Sequence, residues 1–246
     1  MTATYPYALP LPRYRELMAG DHARMRELAG PARTAAVPAC PGWDGAELVR
    51  HTALLYLRKA ETVRTGRNPR GQWLPEELRR MDVADLLALG YERLTEQFDE
   101  HEPADPAESW VAEDQTVGFW IRRLAHETAI HRYDLEAALG TPTPIDAELA
   151  VDGIDEVLTV MLGRGGPDDA ANGAAVSVES DGKAWCVTLE PPAARVTRER
   201  CASPAGRVTG GADDVILWLW GRGPLPEGSA DSSAVTELRR RLSAAT

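Results

Sequence analysis

Between Thr141 and Pro144 the chain changes its hydrophobic period, and this change constrains the fold more than any other feature of the sequence. Before Thr141-Pro142-Thr143-Pro144, apolar residues recur every three to four positions; after it, stretches of strict alternation appear. The first period is that of a helix buried along one face, the second that of a strand, and two prolines in four residues separate them. The halves therefore read as two domains, 1–142 helical and 143–246 of mixed α+β type.

In the first half, Tyr14, Leu17, Met18, Met25 and Leu28 outline a helix that stops at Gly30-Pro31. A proline-rich loop, Pro38-Ala39-Cys40-Pro41-Gly42-Trp43, precedes Asp44, a good N-cap with Glu47 in the capping-box position. The helix it opens carries Leu48, Leu54, Leu55 and Tyr56 and ends near Gly66. A third runs from about Asp82 through Leu87, Leu94 and Phe98 to Pro103. The fourth and longest spans about Thr116 to Gly140, with Val117, Trp120, Ile121, Leu124, Leu135 and Ala138 as its expected buried face. Four such helices predict a bundle. In the second half, a helix over about Ala147–Leu162 precedes a strand at Val176–Glu179, a turn at Asp181-Gly182 and a returning strand at Ala184–Leu189. Further strands are expected at Arg195–Arg200 and Arg207–Thr209, then helices near Asp213–Trp220 and Ser232–Leu242.

Composition excludes several function classes. With 43% hydrophobic and 26% charged residues in 246, the chain can bury a sizeable core. Its net charge of −11 makes nucleic acid and anionic membrane poor partners, since both select clustered positive charge. No run approaches the roughly 18 apolar residues of a membrane span, and Met1–Pro12 lacks the basic-then-apolar pattern of a secretory signal. Cys40, Cys186 and Cys201 are too few and too scattered for a disulfide framework or a CxxC metal site. Cys40, just ahead of a helix, reads as structural, and Cys186 and Cys201 have no evident companion. The expectation is a reduced, soluble, cytoplasmic protein.

The sharpest chemical signal is a set of metal-ligand residues. Glu127 and His131 are one helical turn apart and share a face, and Trp120, Leu124, Glu127, His131, Leu135 and Ala138 follow one stripe. A carboxylate on a buried stripe needs a partner or a metal. His51 lies similarly between Leu48 and Leu55 on the second helix. A lone histidine on an apolar face is usually a hydrogen-bonded core residue, and ExxxH alone occurs by chance in many helices. Three such residues on facing stripes favour a three-ligand zinc site whose fourth position is left for water or substrate. Asp134, one turn beyond His131, either holds that imidazole or pairs with a surface arginine. His126 reads as a residue of the rim, or one packed behind the ligands, rather than a ligand; His22 and His101 read as exposed.

The Pro38–Asp44 loop, His51 seven residues later, and Glu127-Thr128-Ala129-Ile130-His131-Arg132-Tyr133-Asp134 together resemble the mycothiol-dependent maleylpyruvate isomerase family. Gly211-Ala212-Asp213-Asp214 and Leu217-Trp218-Leu219-Trp220-Gly221-Arg222 extend the resemblance into the second half. It implies a DinB-like four-helix bundle followed by a small sterol-carrier-like α+β domain. It also implies a divalent metal, usually zinc, on His51, Glu127 and His131, and mycothiol as the thiol cosubstrate. By the same resemblance Arg222 is the catalytic arginine; the alternative for Arg222 is a cation favouring a helix C-terminus. Trp218 and Trp220 read as packing residues, and Arg132 as a surface salt bridge.

Two neutral imidazoles and one carboxylate leave a zinc site net positive, suited to stabilising a thiolate. The reading is a zinc enzyme that activates a low-molecular-weight thiol toward a small electrophile, as isomerase or S-transferase. The alternatives are a metal-dependent hydrolase on the same bundle and a non-catalytic module binding a small ligand.

Overall fold

The computed structural model describes residues 9–165, 173–191 and 193–243, which fall into two units, Met1–Ile145 and Asp146–Thr246. Among the described residues there are eight helices and a four-stranded sheet.

In the first unit the helices are α1 (Leu11–Leu28), α2 (Gly45–Thr65), the single turn α3 (Glu76–Arg79), α4 (Val83–Glu100) and α5 (Val117–Ala138). Their starts follow from local chemistry. The Asp44 carboxylate accepts from the Glu47 backbone N–H, and the Glu47 carboxylate accepts from that of Asp44, which closes the expected capping box. Asp82 caps α4 by accepting from the Ala84 N–H, and Thr116 caps α5 by accepting from the Phe119 N–H, each without a reciprocal bond. Helix α3 lies in a connection that shows no helical period.

Helix α2 packs on α4 and on α5, and α1 packs on α5. The core is filled by Tyr14, Met18 and Met25 of α1, Leu48 and Tyr56 of α2, Leu86, Leu87 and Leu94 of α4, and Trp120 and Leu124 of α5. Gly90 sets how near α4 can come to α2: a Cβ there would lie 2.8 Å from the Ala53 carbonyl oxygen, two residues from His51.

Position 22 of α1 corrects an expectation. His22 is buried rather than exposed, stacked on Tyr91 with ring centroids 3.8 Å apart. Its Nδ1 has no hydrogen-bond partner. Residue 22 follows Met18 by four and precedes Met25 by three, so the helical period itself puts it inside.

In the second unit, α6 (Ala147–Glu156) runs on through a π turn at Val157–Met161 and a 3-10 turn at Leu162–Gly165. The strands are β1 (Ala175–Ser180), β2 (Lys183–Thr188), β3 (Arg195–Thr197) and β4 (Gly206–Gly210), followed by α7 (Ala212–Leu219) and α8 (Ser233–Ser243). Strand order is β3-β2-β1-β4; β1 and β2 form the hairpin predicted around Asp181-Gly182, β3 pairs antiparallel to β2, and β4 is parallel to β1. Val176, Val178, Trp185, Val187 and Val208 share the buried face. Residues of the expected third strand beyond Thr197 leave the sheet, because reaching β4 requires the chain to cross β2 and β1.

That crossing overturns the reading of unpartnered cysteines in a reduced chain: Cys186 of β2 and Cys201 of the crossover are joined as a disulfide. They lie fifteen positions apart in the sequence, and the crossover brings them together. No helix among the described residues is long and apolar enough to cross a membrane.

Burial, with a smaller contribution from nearby Arg26, lowers the His22 pKa from 6.5 to about 4. The folded protein then binds fewer protons than the unfolded chain between these values. Stability from this group is complete above about pH 6.5 and is lost as pH falls toward 4. Denaturant melts of wild type and His22→Gln across pH 4–7.5 should show a stability difference that shrinks by roughly 3 kcal/mol toward the acid end.

Candidate metal centre

Helix α5 is wrapped on nearly all sides, with seventeen of its twenty-two residues buried, so an apolar stripe on it does not single out a site. What does is the gap in that burial. Glu127 is one of the few α5 residues that keep solvent exposure; 16% of its side chain is open, and His51 across from it is 41% open. Both residues were expected on buried stripes and are instead partly open, so the cluster is reachable from solvent. Leu54 and Leu55, placed on the buried stripe of α2 by sequence, are likewise half-buried.

His51, Glu127 and His131 converge, each offering a donor atom within 4.8 Å of the others. The Glu127 Oε1 lies 3.2 Å from His131 Nε2 and 3.9 Å from His51 Nε2. The two imidazoles stand edge to face, centroids 5.2 Å apart. Burial lowers the His51 pKa to about 4, and the neighbouring His131 adds to the shift, so His51 is neutral at pH 7, the state a metal ligand requires.

The surroundings orient each donor. His131 Nδ1 and Asp134 Oδ2 are 3.2 Å apart, and Asp134 is buried. Of the two readings of Asp134, this contact fits the one in which it holds the imidazole and turns Nε2 toward the cluster. Arg123, one turn before Glu127 and also buried, donates to Glu127 Oε2 and leaves Oε1 facing the histidines. Trp43, partly exposed, lies against His51 with ring centroids 5.2 Å apart. It is set there by the turn Cys40-Pro41-Gly42-Trp43, closed by the Trp43 N–H on the Cys40 carbonyl, with Gly42 at φ +86°.

Sequence reading missed Arg123, although an arginine four residues before a half-buried glutamate is a visible signal. It also misjudged Arg132. That side chain is buried rather than in a surface bridge, and donates to Asp21, Glu136, Thr143 and the Pro144 carbonyl. Arg132 thus ties α1, α5 and the segment after α5 together. Burial pushes the Glu136 carboxyl upward, but hydrogen bonds from Thr143, Arg24 and Arg132 outweigh it and hold the pKa at about 2. His126 is buried edge-on to Tyr14 rather than at a rim. Arg222, in the second unit, follows α7 and donates to the Trp220 carbonyl at 2.6 Å, which places it at that helix's C-terminus. Trp218 and Trp220 are both buried, as expected of packing residues.

The geometry defines a helical-bundle protein with a solvent-reachable cluster of two histidines and a glutamate, joined to a small unit with a mixed sheet. The chain matches the mycothiol maleylpyruvate isomerase N-terminal domain over residues 14–136 and the C-terminal domain of the same family over 148–240. It belongs to that family of enzymes. Two solved structures share the fold, both of the mycothiol-dependent maleylpyruvate isomerase, one of them a histidine-to-alanine mutant. The mutant aligns with TM-score 0.64 at 13% identity and the other with 0.61 at 16%; each alignment covers 92% of this chain and 94% of theirs. No curated protein matches the sequence.

Arg132→Ala leaves Glu136 and Asp21 short of their shared cation inside the unit. Urea unfolding should show a loss of about 3–5 kcal/mol relative to wild type, against under 1 kcal/mol for alanine at the exposed Arg80.

Proposed function

We propose that the chain is a zinc-dependent enzyme that activates a low-molecular-weight thiol, mycothiol, for addition to a small electrophilic substrate, in the manner of a maleylpyruvate isomerase. The observation that carries the proposal is the convergence of His51, Glu127 and His131 within 4.8 Å, in a chain of this family. The donor set fits the metal: two imidazoles and one carboxylate, with Asp134 behind one imidazole and Arg123 behind the carboxylate. A divalent metal held there would lower the pKa of a thiol at its open position and keep the thiolate near neutral pH.

The chain's own residues supply the rest. Asp134 fixes the ring orientation of His131, and Arg123 keeps one Glu127 oxygen directed at the histidines. Trp43 lies against His51, whose side chain stays partly open to solvent. For Arg222, in the second unit, the support is the family resemblance alone: it would hold the substrate's carboxylate or enolate oxygen with two parallel hydrogen bonds. Thiol addition to an electron-poor cis double bond permits rotation, and expulsion of the thiol then completes isomerisation. Retention of the adduct gives S-conjugation at the same site.

The direct test is turnover of maleylpyruvate by the purified protein with and without mycothiol. Thiol-dependent isomerisation that His51→Ala abolishes is the expected result; turnover without thiol points to metal-dependent hydrolysis, and none under any condition to a binding module. Asp134→Asn should weaken zinc binding by about 10–100-fold in competition with a chelator while the helical circular dichroism is retained.

A further inference from the structure

The crossover between β3 and β4 is built as a strap. Strand β3 ends at Thr197 and β4 begins at Gly206, so residues 198–205 carry the chain over β2 and β1 to the far edge of the sheet. Three strand spacings are about 14 Å, well within reach of eight residues. The strap passes over the face that carries Cys186, opposite the face of Trp185 and Val187. Ser177, which pairs with Cys186 on that face, is buried and donates its hydroxyl to Glu179.

Side chains hold the strap at three points among the described residues, and at its end the Ala205 N–H donates to the Ala175 carbonyl of β1. Arg198 at its start donates twice to the buried Asp155, which also accepts from the Trp185 indole. Arg200 lies 3.3 Å from Glu179 but is largely exposed, so that pair contributes little. Between these and β4, Cys201 is bonded to Cys186, with its sulfur 3.4 Å from the Val176 carbonyl oxygen. Both cysteines are half-buried, so the pair keeps some solvent exposure, whereas Asp155 is fully buried. The covalent attachment is therefore the accessible one, while the Asp155 attachment is internal.

We propose that Cys186–Cys201 is a thiol-exchange site, at which a low-molecular-weight thiol becomes joined to Cys201 and releases the middle of the strap from Cys186. The attacking thiolate forms a new S–S bond to Cys201 Sγ. The Cys186–Cys201 bond breaks, and its electron pair leaves on Cys186 Sγ, which takes a proton from water. A second thiol attacks the mixed disulfide, giving the oxidised small-thiol dimer and a Cys201 thiol. In sum, one protein disulfide is reduced and two small thiols are oxidised to one disulfide. Cys201 is the acceptor because it lies on a connection that can swing outward, whereas Cys186 is fixed between β1 and β3. The step uses none of His51, Glu127 and His131, so it stands or falls separately from the metal site.

The test takes wild-type protein purified without reductant through native cysteine/cystine mixtures of rising cysteine content. Thiols are trapped with N-ethylmaleimide, and intact mass is combined with peptide mapping. The expected species carries one cysteinyl group on Cys201 and maleimide on Cys186, and appears before the fully reduced form. Full reduction should lower the melting temperature by roughly 5–15 °C. In Cys186→Ser, Cys201 should take up a cysteinyl group from cystine; in Cys201→Ser, Cys186 should do so more slowly, on the order of tenfold. Circular dichroism checks that both variants are folded, and the wild-type arm needs neither. The proposal is overturned if the untreated protein shows three maleimide-reactive thiols in denaturant, if the bond resists cysteine while the protein is folded, or if the adduct maps to Cys186 or Cys40.

Discussion

A carboxylate held among packed helices must be given partners on every side, and the placement of Glu127 between Arg123 and two histidines is the constraint around which the first unit is arranged. One oxygen is taken by a cation on the same helix; the other is left facing imidazole nitrogens that are 3.2 and 3.9 Å away. This geometry needs α2 to lie close to α5, and α2 is held in turn by α4, whose Gly90 permits near contact with the Ala53 backbone. It also needs α5 to keep its rotation. Arg132 and Asp134, on either side of Tyr133, fix α5 to α1 and fix His131 to the cluster. The apolar core holds the helices together, but these ion pairs set which side chains meet.

Much of this was legible in the sequence, for a local reason. Asp44 and Glu47 make a capping box through bonds spanning three residues, so their spacing suffices to predict it. Glu127 and His131 share a helix face by geometry alone, and His51 needed only the assumption that α2 faces α5. The turn at Asp181-Gly182 and the strands around it were equally local. What was not legible depended on neighbours remote in sequence. Arg132 looks like a surface residue until α1 and the Thr143–Pro144 segment are folded against it. Cys186 and Cys201 look unrelated until a parallel β4 forces the chain back across the sheet. His22 differs from both: its burial was written in the helical period, and polarity hid it.

The two units place their polar anchors differently. In the first, charged residues meet near the solvent-reachable cluster and carry its geometry. In the second, a buried Asp155 gathers a tryptophan and an arginine to anchor one end of the strap, and a half-buried disulfide holds its middle. A small thiol is thus relevant to the chain twice, as the proposed cosubstrate of one unit and as the proposed reagent that opens the disulfide of the other.

The central claim, that His51, Glu127 and His131 form a metal site, is tested most directly by metal content. Elemental mass spectrometry on untagged protein purified without chelator, beside His131→Ala, should find about one zinc per chain in the wild type and little in the variant. A wild type that stays metal-free after zinc is supplied, or a variant that retains the same zinc, would contradict the account.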